Sequence, residues 1–205
     1  MSQGSTLGFR AAVTVLVMAS AGYAITVDFN SVPIGTVYGP DAGDAPGDVV
    51  LTQPGVEMSV QNFFLNGTPG FFGAQVGGPL PDTFPTPSLE LDNISVLFDF
   101  ASAGFDVNLV TLEFQEFGGA DNFAVNEHTI FELQPPLGLG SIPVNVAPNV
   151  VAEVDSGVIR LTGAINSFRI GGQELAIDTI TAVPDPATLI FLGLGGALYC
   201  ARRQR

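Results

Sequence analysis

The sequence predicts an all-β protein: a two-sheet antiparallel β-sandwich of the jelly-roll type, preceded by a signal helix and followed by a transmembrane helix. Gly and Pro are frequent, with 25 and 15 copies in 205 residues, and they divide the chain into short apolar runs. These runs recur at intervals of about 8 to 15 residues, a spacing typical of sandwiches. Between the two apolar ends no run has the periodicity of an amphipathic helix.

The strongest strand signals lie in the middle of the chain. Apolar and polar residues alternate over 94–100 and again over 107–117, which predicts two half-buried antiparallel strands joined by 101–104. Pro-rich and Gly-rich loops are expected at 31–47 and 77–87. Further strands are predicted at 25–29, 49–52, 56–64, 71–76, 123–125, 129–133, 144–146, 150–154, 158–161, 165–170 and 175–181.

The N-terminus has the features of a secretory signal. Arg10 precedes an apolar run over 11–19, which is too short to anchor a protein stably in a bilayer. Small residues then offer cleavage after Ala24, or after Ala21 as second choice. The sequence therefore predicts a signal peptide at 1–24 and an exported domain at 25–182.

The C-terminus, 183–205, combines three features in order. Pro184, Asp185 and Pro186 are followed by an apolar segment of about 15 residues, which as a helix spans roughly 22 Å. A basic cluster, Arg202, Arg203 and Arg205, closes the chain. The positive-inside rule keeps these arginines cytoplasmic, which puts the domain on the far side of the membrane.

This order of features resembles a PEP-CTERM sorting tail, with Asp185 in place of the usual Glu. The resemblance implies processing by signal peptidase and by the membrane enzyme exosortase. It also implies a membrane-anchored precursor whose product goes to the bacterial envelope or to the exopolysaccharide matrix of a biofilm. A plain C-terminal membrane anchor is the alternative. The ends of the central domain are similar to carbohydrate-binding-module-like sandwiches, chiefly over 27–36, 167–170 and 175–180.

The charge is strongly negative. The chain has 20 acidic and 6 basic residues, and only Arg160 and Arg169 are basic between the two apolar ends. Such a surface repels phosphate backbones, so no nucleic-acid partner is expected. Its ordinary role is solubility, and it also attracts divalent cations.

Calcium is the one cofactor that the sequence suggests, at either of two places. Asp41, Asp44 and Asp48 lie in one Gly-rich loop and offer hard oxygen ligands, although their spacing is not that of an EF-hand. Asp28 and Asp178 lie near the two ends of the domain, where terminal strands of lectin-like sandwiches often pair. A solvated acidic loop is the alternative at the first place.

Catalytic residues are scarce. His128 is the only histidine and is expected on a surface loop, and Cys200, the only cysteine, lies in the apolar tail. Glu113 and Glu116 are three residues apart on a strand and therefore point to opposite faces. These observations predict a non-enzymatic protein, with a carbohydrate-active enzyme or an adhesin or ice-binding surface as alternatives.

Aromatic residues limit how a glycan would be held, because the chain has no Trp. Two Phe pairs, 63–64 and 71–72, place neighbouring rings on opposite faces of a strand, so that one ring of each pair would be exposed. Core packing is the alternative for both pairs. The expected function is an envelope or matrix protein whose domain contacts exopolysaccharide or neighbouring surface molecules.

Overall fold

The computed structural model describes residues 24–80 and 83–184, and their strands form one continuous antiparallel network with two short 3-10 helices, Pro40–Ala42 and Gly138–Ser141. This confirms the all-β antiparallel class. The strands are β1 Ile25–Val27, β2 Val37–Tyr38, β3 Val49–Gln53, β4 Val56–Leu65, β5 Thr68–Gly70, β6 Gly73–Val76, β7 Leu89–Asp92, β8 Ile94–Asp99, β9 Val107–Val125, β10 Phe131–Leu133, β11 Asn145–Ala147, β12 Val150–Asp155, β13 Val158–Gly163 and β14 Ser167–Pro184.

Two long strands, β9 and β14, form the centre of the network. They pair along almost their whole length, from Val125 with Phe168 to Val107 with Pro184. Around 121–125 and 167–172 their outer neighbours are β10 on one side and β8, β4 and β3 on the other. We call these strands the first strand group.

The other halves of β9 and β14 belong to a second strand group. Its order is β11, β12, β13, β9, β14, β7, β6 and β2, and β1 pairs with the end of β14. Because β9 and β14 belong to both groups, any bend or twist in this pair determines the angle between the two groups.

Register shifts interrupt the central pair at three places, the last at its end, where Val183 pairs with Leu109 and Pro184 with Val107. Gly172 pairs with Asp121 and Leu175 with Glu116, so β9 uses two more residues than β14 to cover the same distance. A second bulge lies in β14, where two residues, Asp178 and Thr179, are placed opposite Glu113. Bulges bend a strand and redirect its side chains.

One hydrophobic core draws on both strand groups. In the first group, Phe98 of β8 stacks on Phe168 of β14, with ring centroids 5.0 Å apart. In the second, Leu91 of β7 and Leu175 of β14 form a buried cross-strand pair. The buried apolar residues of both groups belong to one contiguous cluster, so neither group has a core of its own.

The predicted pairing of the segments 94–100 and 107–117 is wrong. Both segments are strands, but they do not pair with each other: Phe98 pairs with Phe168 near the start of β14, whereas 107–116 pair with the later half of that strand, 175–184. Consecutive strands usually pair, and here the long return of β14 displaces that contact.

Other predicted strand boundaries differ from the observed ones, chiefly because two long strands were each predicted as two short ones. The predicted strands at 107–117 and 123–125 are one strand, β9, and those at 165–170 and 175–181 are one strand, β14. The predicted gap at 118–122 is continuous strand, and Gly118 and Gly119 form the bulge within it. The expected loop at 31–47 contains β2 and a 3-10 turn, and β7 was not predicted.

Replacing Gly119 by Ala should destabilise the protein by about 1–3 kcal/mol. Gly119 has φ 82°, and an added Cβ would lie 2.5 Å from Cβ of Gln173 on the paired strand, an atom that is bonded directly to the backbone and can shift little by side-chain rotation. Denaturant unfolding measures the loss. Gly140→Ala is the matched control, since its added Cβ meets nothing within 4 Å. Equal unfolding midpoints for the two variants would contradict the role of the bulge.

Candidate binding groove

A groove of about 780 Å³ lies on the outer face of the second strand group. Its floor is formed by β6, β7 and β14, and its sides by β2, the 3-10 turn after it and the bulge of β9. This size is that of a small-ligand or oligosaccharide site.

Strand alternation supplies the polar floor. On β7, Leu89 and Leu91 are buried in the core, whereas Glu90 and Asp92 are exposed on the other face. Glu90 pairs with Gln75 of β6, which continues the polar row across the groove. The period of two along each strand thus gives one apolar and one polar face.

Glu174 completes the floor from β14. It is exposed, and it lies one step beyond the pair that Leu175 makes with Leu91, which places it beside Asp92 on the same face. Directly opposed like charges destabilise a sheet, so this arrangement carries an electrostatic cost. Among the described lining residues the acidic ones are Asp41, Glu90, Asp92 and Glu174, and none is Arg, Lys or His.

Two exposed phenylalanines border the groove. Phe72 precedes β6 and is 61 % exposed, and Phe117 lies in the bulge of β9 and is 57 % exposed. Phe117 follows Glu113 and Gln115 at a spacing of two on the outward face of β9, and the bulge begins at this residue. Apolar side chains grouped on a concave surface mark an interaction site.

An exposed ring occurs in one of the two predicted Phe pairs, at 71–72, which lies just before β6 and not on a strand. Phe63 is buried in the core, while Phe64 is half-buried and its ring lies 5.5 Å from the guanidinium carbon of Arg169. Phe71 is half-buried and Phe72 is exposed. Only the second pair lines the groove.

An acid pair, Asp121 and Glu116, lies on the core side of the same bulge; Asp121 is buried and Glu116 is half-buried. Asp121 is 1 % exposed, and burial together with the hydrogen bond and the charge of Glu116 raises its pKa to about 9. Glu116 accepts a hydrogen bond of 2.5 Å from the backbone N–H of Leu139. A Cβ on Gly138 would lie 2.7 Å from Oδ2 of Asp121, so only glycine fits between these carboxyl groups and the 3-10 turn.

In the first set of predicted calcium ligands, two carboxylates accept hydrogen bonds within their own loop. Asp44 accepts a hydrogen bond from the backbone N–H of Gly39, and Asp48 accepts one from Ala45, both at 2.8 Å. Asp41 is exposed and lines the groove. These carboxylates organise the loop.

The second predicted set lies where β1 pairs with β14, an arrangement that the sequence anticipated. Asp28 accepts a hydrogen bond from the backbone N–H of Asn30, and Asp178 is buried in the second bulge and accepts one of 2.7 Å from the hydroxyl of Thr86. Within residues 24–80 and 83–184, no three His, Cys, Asp or Glu side chains come together in a group that fits a metal ion.

The remaining candidates are placed apart from the groove. His128 is exposed in the turn after β9, and its Nδ1 accepts the N–H of Thr129 at 2.9 Å. Glu113 is exposed, whereas Glu116 faces inward, so the two point to opposite faces as expected. Arg169 donates to the carbonyl of Asn62, and burial lowers its pKa to about 10.

Several sorting features lie outside the described residues: Asp185, Pro186, Cys200, Arg202, Arg203 and Arg205, and most of the signal segment. Ala24 is exposed immediately before β1, and Pro184 is the last residue of β14, two residues beyond the predicted domain boundary. In the described part of the chain no helix has the length and apolar character to span a membrane.

No protein family, curated protein or solved structure that was compared with this chain gives a match. The groove must therefore be interpreted from its own residues. Sequence reasoning missed Glu90, Asp92, Phe117 and Glu174 as site residues. The alternation over 89–92 was the one available signal, and four residues are too short a run to separate a strand from a loop.

Replacing Asp121 by Asn should change how stability depends on pH. The folded protein keeps the Asp121 proton up to about pH 9, whereas the unfolded chain releases it near the ordinary value of 3.8. Between these values the unfolded chain binds fewer protons, so stability falls as pH rises, by at most about 1.4 kcal/mol per pH unit.

The amide introduced by Asp121→Asn cannot ionise, so this variant should gain stability relative to the parent as pH rises from 5 to 8, as measured by denaturant unfolding at each pH. Asp155→Asn changes an exposed position, so its stability should depend on pH in the same way as that of the parent over this range. Parallel curves for Asp121→Asn as well would show that the pair carries no shared proton.

Proposed function

We propose that this protein is exported and sorted to the cell envelope or extracellular matrix by its C-terminal tail. Support comes from the order of features in the sequence: the signal-like start, the motif Pro184-Asp185-Pro186, the apolar segment and the arginine cluster. Signal peptidase and exosortase are the processing enzymes in this proposal. The membrane-anchored precursor is the form on which exosortase acts.

We further propose that the two strand groups are the two layers of a β-sandwich. The supporting observation is the single core to which both groups contribute inward side chains, such as Phe98 from the first and Leu91 from the second. Two antiparallel layers that share one core are the arrangement of a sandwich. In this architecture the groove lies on the outer face of one layer.

The domain's role in this proposal is non-catalytic binding of a glycan in the groove. The observation that carries it is the combination of two exposed rings, Phe72 and Phe117, with a floor of hydrogen-bonding side chains between them. Apolar ring surfaces suit the faces of sugars, and carboxylates and amides accept or donate hydrogen bonds to hydroxyl groups.

Binding of the purified protein to the exopolysaccharide of the producing cells tests this role. Phe72→Ala and Phe117→Ala should each weaken saturable binding by about tenfold, which corresponds to roughly 1.4 kcal/mol. Val144→Ala, at a residue 63 % exposed and away from the groove, should bind like the parent. Absence of binding, or binding that ignores both rings, excludes this role for that polymer.

The same titration with calcium and with chelator tests the predicted calcium requirement. Binding or thermal stability that the chelator lowers, and that Asp178→Asn or Asp44→Asn makes insensitive to calcium, would support it. Identical curves in both conditions would remove calcium from the proposal.

Sorting is tested in cells that encode an exosortase. Changing Asp185 and Pro186 to Ala, with Pro184 kept because it belongs to β14, should leave the unprocessed precursor in the membrane fraction. Replacing Arg202, Arg203 and Arg205 by Ala should have the same effect, and Gln204→Ala should be processed normally. A plain membrane anchor predicts the opposite: no change in size or location when the motif is altered.

Glycoside hydrolysis is the second candidate for the groove. Asp92 and Glu174 lie side by side on one face, and glycosidases use two carboxyl groups across the scissile bond. Release of reducing ends from the bound polymer, abolished by Asp92→Asn and by Glu174→Gln, would favour the enzyme. Binding without release favours the non-catalytic role.

A further inference from the structure

The charges of the groove limit the class of ligand that it can bind more narrowly than its shape does. Four carboxylates line it, and no described lining residue is a cation. A concave site with low-dielectric walls strengthens the field of its charges. A polymer of uronic acids would be repelled, and a neutral glycan would leave the repulsion between Asp92 and Glu174 unrelieved.

The cations of the domain are placed where they cannot neutralise the groove. Arg169 lies in the first strand group, where it contacts the carbonyl of Asn62 and the ring of Phe64. Arg160 lies on β13, paired with Thr111 of β9 and Glu153 of β12, and β9 and β14 separate it from β7. The carboxylates of the floor therefore lack a counter-charge within the described residues that form the groove.

We propose that the groove binds a hexosamine polymer whose amines are free, that is, a deacetylated, cationic polysaccharide. Ammonium groups bind carboxylates in charge-assisted hydrogen bonds and are attracted to the faces of aromatic rings. Phe72 and Phe117 also need apolar surface against them, which the sugar rings provide. This inference rests on the proposed glycan-binding role.

A basic peptide has the same charge but fits the groove less well. Extended peptides bind by pairing their backbone with an exposed strand edge. The floor strands β6, β7 and β14 already pair on both sides where they line the groove, so recognition there depends on side chains. Side-chain recognition on a sheet face suits a sugar chain.

The test compares four hexamers on the full chain by calorimetry: glucosamine, N-acetylglucosamine, galacturonic acid and lysine. Glucosamine hexamer should bind at least about tenfold more tightly than the N-acetylated one, because charged partners strengthen hydrogen bonds. The galacturonate hexamer should not bind. Rising salt should weaken the glucosamine complex and leave the acetylated one unchanged.

A matched pair of triple variants assigns the effect to the groove. Glu90→Gln, Asp92→Asn and Glu174→Gln together should remove the preference for glucosamine, so that the two hexamers bind with similar affinity. The control, Asp106→Asn, Glu113→Gln and Glu153→Gln, removes the same charge from exposed positions outside the groove and should keep the preference. All six positions are exposed, and thermal unfolding checks that each variant folds.

Each of the other possible results would contradict either the preference for free amines or the glycan-binding role itself. Equal affinity for the two glucosamine hexamers sinks this inference and leaves the glycan-binding role standing. Failure of every saccharide to bind sinks both. Lysine hexamer binding as tightly as glucosamine hexamer shows attraction of any polycation, and a preference that survives in the groove variant places the amine site elsewhere.

Discussion

The pairing of β9 with β14 is the constraint on which the rest of this structure depends. The two strands run together from Val125 and Phe168 to Val107 and Pro184, and most other strands attach to one of them directly or through a neighbour. Contacts between them join residues that are far apart in sequence, so closing this pair costs more chain entropy than a local hairpin would. Once this pair has formed, both strand groups add their strands to its two edges, and their buried side chains form a single core.

The first bulge of this pair lies between the groove and the acid pair. Phe117 points outward in step with Glu113 and Gln115, and Asp121, on the far side of the bulge, is buried. A carboxyl group in a core carries a desolvation cost, which is lowered here by the proton that Asp121 keeps and by the hydrogen bond from the N–H of Leu139 to Glu116. Among the described residues, Oδ1 of Asp121 has no hydrogen-bond partner. The bulge thus has the aromatic border of the groove on one face and the acid pair on the other.

Most strands were readable from the sequence, although β2, β5 and β7 were not, and of the strand partnerships only that of the two terminal strands was anticipated. Alternation located β8, β12 and β13 closely, because one face of each packs on the core. It did not show that β14 separates β8 from β9, since periodicity fixes a face and not a neighbour. The predicted gap at 118–122 begins at Gly118 and Gly119, where the bulge requires the same positive φ that a turn does. The groove was missed because its floor comes from three strands that only the register brings together.

The net charge of this chain and the positions of its charges have different consequences. Solubility requires only a surplus of one sign, and exposed residues outside the groove, such as Asp106, Glu113 and Glu153, supply it. Placing Glu90, Asp92 and Glu174 together in a concave site adds repulsion without adding solubility. Such a cost persists where function requires it, and a ligand that carries positive charge converts the same repulsion into affinity. The acidic composition is therefore general, whereas the acidic groove is a specific feature that calls for a cationic partner.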